Sequence, residues 1–158
     1  MSSASDGHRG GVAFLLAQLG HHAAERFSDR IAALDLTPPH AGILRAIEAA
    51  PGRSQQALST QLGLLPSRVV AFVDDLEDRG YLERRPNPDD RRQYALYLTA
   101  AGKELMGKLS RLARQHDRAI TSGLSESQRA QLYDLLATLA TQQGLTPGIH
   151  PGYRRLGR

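Results

Sequence analysis

The sequence predicts a mainly α-helical fold with one small β-hairpin, and three patterns support this prediction. Apolar residues recur at three- and four-residue steps from Val12 to Leu34, which is the spacing of one face of a long helix. Two short apolar segments, ended by Gly63 and Gly80, are typical of a pair of helices joined by a tight turn. Strand-length segments at 81–85 and 94–98 flank a stretch rich in proline and aspartate, which indicates a hairpin with a long tip.

The predicted helix starts have a common chemistry. Each has a side-chain oxygen or a proline where the first helical amides lack partners inside the helix. These starts are Thr37-Pro38, Ser54, Pro66-Ser67, Thr99 and the capping box from Ser125 to Gln128. The resulting order is two helices, a helix-turn-helix, a two-stranded wing and two closing helices, which is a winged helix-turn-helix flanked by additional helices.

The 158 residues fit a single domain. We expect a disordered polar tail over residues 1–9 and one domain over residues 10–143. From residue 144 to 158 the chain is rich in glycine and proline and carries three arginines without an acid, so a mobile basic tail is predicted.

The composition excludes several classes of protein. The chain has no cysteine, which rules out disulfides, thiolate nucleophiles and cysteine-ligated zinc. It contains none of the short motifs of serine hydrolases, dinucleotide-binding folds, P-loop proteins or zinc peptidases, so we expect neither an enzyme nor a cofactor. No window approaches the roughly 20 apolar residues of a membrane span, and no secretion signal precedes the domain. A cytoplasmic protein is predicted, and the net charge of +4 weakly favours a polyanionic partner.

Two segments carry a resemblance to a known family. LTPPHAGILRAI (36–47) and SRVVAFVDDLEDRGYLERRPNPDDRRQYALYLTAAG (67–102) resemble the MarR family of bacterial transcription regulators, over about residues 10–143. The resemblance implies a homodimer whose terminal helices, about 10–34 and 103–143, intertwine beside a winged module at about 38–99. The long apolar stripes agree with this, because they exceed what a small module can cover. It also implies binding to pseudo-palindromic double-stranded DNA, usually as a repressor.

The predicted recognition helix has an uneven charge. Ser67 and Arg68 lie at its start, whereas four acids occupy its second half, so only its first turns can approach phosphates. We therefore expect Pro66, Ser67, Arg68 and Ala71 in or near the major groove, with Arg68 contacting guanine or phosphate. The family pattern has polar residues where this chain has Val70 and Ala71, which leaves more of the specificity to thymine methyl groups and DNA shape.

Further DNA contacts are predicted before the third helix and in the wing. Ser54, Gln55 and Gln56 begin a helix and could bind phosphate, with Arg53 just before them; helix capping and a solvated arginine are the plain alternatives. In the wing, the resemblance maps Asp90 onto an aspartate that orients an arginine by a salt bridge, and Arg92 onto the arginine that enters the minor groove. The remaining wing arginines are expected to bind phosphate or to be structural: Arg84, Arg85 and Arg91.

The resemblance also implies a small aromatic or anionic effector that lowers DNA affinity and binds between the dimerisation helices and the winged module; a phenolic or lipophilic compound would suit this pocket. By position it would use the following residues, which an ordinary helix interface explains equally well: Phe14, Gln18, His21, His22, Pro39, His40, Ile43 and Leu105. His21, His22 and Glu25 have one-turn spacing and could bind a metal together with His40 or His116, but structural histidines are preferred. The alternatives to a DNA-binding regulator are a winged-helix protein-interaction module and a metal-responsive regulator.

Overall fold

A computed structural model describes residues 10–150, 152 and 153. It contains six helices and one hairpin in that part of the chain, which confirms the predicted fold class. The elements are α1 (Val12–Ala32), α2 (Pro38–Ala49), α3 (Gln55–Leu62), α4 (Pro66–Asp78), β1 (Leu82–Pro86), β2 (Tyr94–Leu98), α5 (Ala100–Ile120) and α6 (Glu126–Gln142). The predicted tail at 1–9 and the three C-terminal arginines lie outside the described residues.

The element boundaries follow from local capping. The Ser54 side chain accepts a hydrogen bond from the Ala57 amide at 3.1 Å, and the Thr99 side chain accepts one from the Gly102 amide at 3.0 Å. Gly63 (φ 65°) ends α3 in the left-handed region, where a side chain would be strained. The predicted starts of α3 and α5 and the end of α3 are thus confirmed.

The hairpin is antiparallel, and the segment before α3 extends it. Leu82 pairs with Leu98 and Pro86 with Tyr94. The Leu96 amide donates to the Arg53 carbonyl at 2.9 Å, and the Gly52 amide donates to the Leu96 carbonyl at 2.9 Å. Backbone hydrogen bonds therefore fix the start of α3 against the wing.

The hydrophobic core lies between α2, α3, α4, the hairpin and the first half of α5. Its fully buried side chains include Ile43, Leu44, Ile47, Leu58, Leu62, Val69, Val73, Leu76, Leu82, Leu96 and Leu109. From α1 only Ile31 is buried, and none of the residues of α6, all of which the structure describes, is buried. The two terminal helices therefore present apolar side chains to solvent in a single copy of the chain.

Part of the segment after α6 packs on the domain. Ile149 and Tyr153 are partly buried against the core, and the Tyr153 hydroxyl donates to the Pro38 carbonyl at 3.1 Å. These two residues correct the prediction of a mobile tail from residue 144. The prediction relied on glycine and proline content and overlooked two apolar side chains that a groove between α1 and α2 can accept.

Among the described helices, none is long and apolar enough to cross a membrane.

Candidate nucleic-acid interface

A cleft of about 220 Å³ lies where the first turns of α3 and α4 meet the wing. Residues from all three elements line it: Ser54, Gln55, Gln56, Pro66, Val70, Arg92, Gln93 and Tyr94. The structure thus brings the two glutamines and Ser54, predicted from the start of α3, together with Pro66 and Arg92. Ser67, Arg68 and Ala71 lie on the exposed surface of the first turns of α4, next to this cleft.

The starts of two helices give the cleft a positive electrostatic character. The first amides of a helix have no partner within it, and the helix macrodipole places partial positive charge there. The Ser54 hydroxyl uses one such amide in α3, and Pro66 opens α4 without an amide of its own. The arrangement suits phosphate oxygens, and the exposed Arg92 side chain adds a full charge.

The wing tip is held by backbone hydrogen bonds to asparagine and aspartate side chains. The Asp90 carboxylate accepts the Arg92 amide at 3.0 Å, and the Asn87 side chain accepts the Asp89 amide at 3.0 Å. Across the tip, the Asn87 amide donates to the Gln93 carbonyl at 3.1 Å. In turns of this kind, an aspartate or asparagine side chain accepts a hydrogen bond from the backbone amide two residues later in the chain.

This geometry corrects the predicted role of Asp90. Within residues 10–150, no ion pair of 4.0 Å or less joins Asp90 to the Arg92 guanidinium. Asp90 positions the backbone of Arg92 and leaves its guanidinium exposed.

Arg84 fastens the wing to both helices of the helix-turn-helix. Its guanidinium donates to the Gln55 side-chain oxygen at 2.9 and 3.2 Å and pairs with the carboxylates of Asp74 and Glu77. Its side chain is 18% exposed. Burial acts to lower the pKa of Arg84, but hydrogen bonds to the two carboxylates outweigh burial and raise the pKa above its ordinary value. Of the two expected roles, phosphate contact or structure, these contacts favour structure.

The other predicted arginines occupy different surroundings. Arg85 is 58% exposed, pairs with Glu83 and lies 4.4 Å from the Tyr97 ring centroid, on the strand face opposite Arg84. Arg53 is half-buried and donates to the Gln61 side chain. Arg91 is exposed at the wing tip. Neither Arg53 nor Arg85 lines the cleft.

His40 joins the second half of α4 to the start of α2. Its Nδ1 accepts the Thr37 amide at 3.1 Å, and its Nε2 lies 3.2 Å from the Asp75 carboxylate. An accepting Nδ1 places the proton of the neutral ring on Nε2, which then donates to Asp75. Burial lowers the pKa of His40, Asp75 opposes this shift, and Arg79 adds to it.

Arg79 extends this connection to the end of α1. It donates to the Asp35 and Leu34 carbonyls at 2.9 and 3.1 Å, and to the Asp75 carboxylate at 3.1 Å. Three acids that crowd the second half of α4 therefore have internal partners: Asp74, Asp75 and Glu77. This use of the acids leaves less charge to repel phosphates or to attract a protein partner.

The residues predicted for an effector pocket fall into two groups. Phe14, Gln18, His21 and His22 are exposed on the first half of α1, whereas Pro39, His40, Ile43 and Leu105 are buried in the core. A different cavity, of about 330 Å³, lies between α1 and α2. Its walls include Ala24, Phe27, Pro38, Ala41, Gly42 and Arg45. The structure of a single copy does not bring the two predicted groups together in one pocket, and none of the eight predicted residues lines this cavity.

The histidines proposed as metal ligands are also separated. His21 contacts Glu25 at 3.2 Å, while the ring of His116 packs at 5.5 Å from the Phe27 ring. Across residues 10–150 the structure contains no group of three or more histidine, aspartate or glutamate side chains arranged to hold a metal ion.

Known proteins resemble the chain in sequence and in structure. Residues 34–93 match the model of the MarR family. The chain is 33% identical over 112 residues to a protein of Thauera aromatica assigned as the transcriptional regulatory protein for the hcr operon, covering 71% of this chain and 68% of that protein. The chain belongs to the MarR family of transcriptional regulators. It is therefore a regulator rather than an enzyme.

Solved MarR-family structures share the fold. The transcriptional repressor CouR, solved with a 23-mer DNA duplex, is 34% identical, with a TM-score of 0.71 over 82% of this chain and 92% of that chain. Apo MarR from E. coli is 22% identical, with a TM-score of 0.76 over 84% of this chain and 98% of that chain. The fold and the family membership predicted from the sequence are confirmed.

Three residues that line the cleft were not among the predicted DNA contacts: Val70, Gln93 and Tyr94. Gln93 and Tyr94 line it beside Arg92, and Tyr94 is 56% exposed, which is unusual for a large aromatic side chain at the start of a strand. Their position directly after Arg92 was the available signal. A wing that presents one residue to the α3 and α4 starts also brings its chain neighbours close.

Arg84 supplies a stability prediction. We expect Arg84→Ala to lower the free energy of unfolding by about 1–3 kcal/mol, because two carboxylates and Gln55 lose a charged, mostly buried partner. Arg85→Ala is the matched control. It should lower the free energy of unfolding by no more than about 1 kcal/mol, because the ion pair of Arg85 is exposed. Urea unfolding followed by circular dichroism measures both variants, and equal losses would contradict the structural role of Arg84.

His40 supplies a pH prediction. Its pKa is lowered in the folded state, so the unfolded chain binds more protons below an ordinary histidine pKa of about 6.5. The free energy of unfolding should therefore fall as the pH drops from about 7.5 to 5.5. His40→Gln should reduce this slope, whereas His21→Gln, at an exposed site, should keep it. An unchanged slope in His40→Gln, measured by urea unfolding at each pH, would exclude His40 as a source of the effect.

Proposed function

We propose that the protein is a homodimeric, sequence-specific DNA-binding regulator that binds an inverted-repeat operator. The observation that carries this proposal is the convergence of the starts of α3 and α4 with Arg92 on one cleft. Helix starts bind phosphates and present their first side chains to base edges, and an exposed arginine on a wing suits a narrow minor groove. The similarity to CouR supports the same activity, since CouR is a transcriptional repressor whose structure was solved bound to a 23-mer DNA duplex.

The recognition residues divide by chemistry. Arg68 is the exposed cation on the first turns of α4 and would contact guanine or a phosphate, with Ser67 beside it. Ser54, Gln55 and Gln56 would bind phosphates at the start of α3, although Gln55 also holds Arg84. Arg92 would enter the minor groove, and Arg91 would contact the adjacent phosphate backbone. We propose that binding represses the promoter. We also propose that the protein acts in the cytoplasm.

The dimer is proposed from the apolar side chains on α1 and α6. Val12 is 71% exposed, Phe14 59% and Leu135 59%, and further exposed apolar residues continue both stripes: Leu15, Leu16, Leu19, Leu132, Leu136 and Leu139. Exposed apolar stripes of this kind mark an interface. A two-fold partner would cover them and set the recognition helices about one DNA turn apart, with half-sites roughly 10 bp between centres.

An effector that releases the operator is the remaining part of the proposal. The cavity between α1 and α2 is lined by apolar side chains and by Arg45. Its volume of about 330 Å³ lies at the lower end of the range for small-molecule sites. A small phenolic carboxylate matches both the apolar walls and the guanidinium.

Operator binding tests the assignment of the wing. Arg92→Ala should weaken binding to the DNA upstream of the protein's own gene by about tenfold or more, because one well-placed guanidinium in a narrow groove is lost. DNase footprinting and fluorescence anisotropy measure the protected site and its affinity. Arg26→Ala removes an exposed arginine from α1 and is the control that should bind as the wild type does. Equal operator affinities for the wild type, Arg92→Ala and Arg26→Ala would exclude Arg92 of the wing as a DNA contact.

The oligomeric state tests the dimer. Leu136→Glu places a charge within the apolar stripe of α6 and should shift the protein from dimer to monomer in light scattering after size exclusion. Ala130→Glu adds the same charge on the opposite side of α6 and should remain dimeric. A dimeric Leu136→Glu variant, or a monomeric wild-type protein, would contradict this interface.

A further inference from the structure

The segment after α6 folds back onto the start of α2. We name it the C-terminal lid, defined as residues 145–150 with Gly152 and Tyr153. The Tyr153 hydroxyl donates to the Pro38 carbonyl at 3.1 Å, 115 residues away along the chain. The Tyr153 ring lies directly over Gly42, where an added Cβ would come within 3.0 Å of its Oη and Cε2 atoms. A glycine at position 42 therefore leaves room for the hydroxyl end of the ring against α2.

The lid has an internal structure that presents this tyrosine. The Ile149 amide donates to the Thr146 carbonyl at 3.2 Å, and Gly148 has a φ of 73°, which only glycine adopts without strain. The Tyr153 amide donates to the His150 carbonyl at 3.2 Å, and the two rings are 5.8 Å apart. Burial raises the pKa of Tyr153, with Arg45 acting in the opposite direction, so the hydroxyl keeps its proton and remains a donor.

The lid supplies one side of the cavity between α1 and α2. Gly148, His150, Gly152 and Tyr153 line it from the lid, opposite Phe27 and Arg45 from the two helices. The rings of Phe27, His150 and Tyr153 therefore border the cavity, and Arg45 provides a guanidinium beside apolar walls. A planar aromatic ring would pack on Phe27 and Tyr153, and a carboxylate attached to it would pair with Arg45.

We propose that the C-terminal lid completes a binding site for a small aromatic carboxylate and closes over the bound molecule, with Tyr153 as its latch. This inference rests on the effector that forms part of the proposed function. One hydrogen bond and one partly buried ring attach the latch to α2, so the lid is a low-stability element that opens without unfolding the domain. Ligand enters while the lid is open and is then covered by Tyr153.

Calorimetry with 4-hydroxybenzoate tests the site, and 4-hydroxybenzamide is the uncharged probe of the same shape. We expect wild-type protein to prefer the carboxylate, and Arg45→Gln to abolish that preference. Tyr153→Ala and Gly42→Ala should each weaken binding about tenfold, the first by removing the ring and the second by displacing it. Gly107→Ala, at a helical glycine whose added Cβ meets only the Arg111 side chain at 3.9 Å, should bind as the wild type does.

Hydrogen exchange measured by mass spectrometry tests the closure. The Ile149 and Tyr153 amides are hydrogen-bonded within the lid, so bound 4-hydroxybenzoate should slow exchange of the peptide covering 145–153 in wild-type protein. The same probe should leave exchange unchanged in Tyr153→Ala.

Three results would overturn the proposal: no binding of 4-hydroxybenzoate by wild-type protein, unchanged or tighter binding by Tyr153→Ala and Gly42→Ala, or binding without slower lid exchange. Operator affinity is measured on the same samples without the probe. Intact operator binding with any of these results rejects the lid site alone, whereas absent operator binding rejects the proposed function.

Discussion

Three carboxylates on the second half of α4 hold this helix, the proposed recognition helix, in position. Asp74 and Glu77 bind Arg84 of the wing, and Asp75 binds His40 and Arg79, which connect to the starts and ends of the neighbouring helices. The cleft depends on these contacts because Arg92 belongs to the wing and Pro66 to α4. A wing free to rotate about its strands would not keep its arginine at a fixed distance from the first turn of α4. Acids that look unsuited to a DNA-binding helix thus serve its placement.

The same contacts bring the proposed effector site and the proposed DNA site into one connected structure. Thr37 holds the His40 ring, and the adjacent Pro38 accepts the Tyr153 latch. In the proposed mechanism, a ligand that shifts the start of α2 also shifts His40, and His40 contacts Asp75 on the recognition helix. Coupling of this kind requires that the two arrangements differ in ligand affinity. In the proposed mechanism the lid supplies this difference, because it covers the ligand in only one of them.

The sequence predicted most of what depends on local chemistry. Ser54, Thr99 and Gly63 mark element ends through their own hydrogen bonds or backbone angles, and such signals are contained within a few residues. Five of the eight residues that line the cleft were predicted through the family resemblance together with helix starts: Ser54, Gln55, Gln56, Pro66 and Arg92. Asp90 was assigned to the wrong partner, because a motif specifies which residues occur together and not whether a carboxylate binds a side chain or a backbone amide. The contact of Tyr153 with Gly42 joins positions far apart in the chain, and no local pattern encodes it.

The recognition surface explains how specificity would be divided between the helix and the wing. In the first turns of α4, Arg68 and Ser67 are the exposed polar side chains, while Val70 and Ala71 are exposed and apolar. Apolar side chains discriminate bases by contact with thymine methyl groups, which carries less information than paired hydrogen bonds. Groove width and DNA deformability must then contribute more to the sequence specificity. A protein senses them through DNA-contacting elements, here the wing and α4, that are held at a fixed separation. If the proposed DNA contacts hold, the ion pairs of Arg84 serve specificity as well as stability, because they set the separation between the wing and α4, the proposed recognition helix.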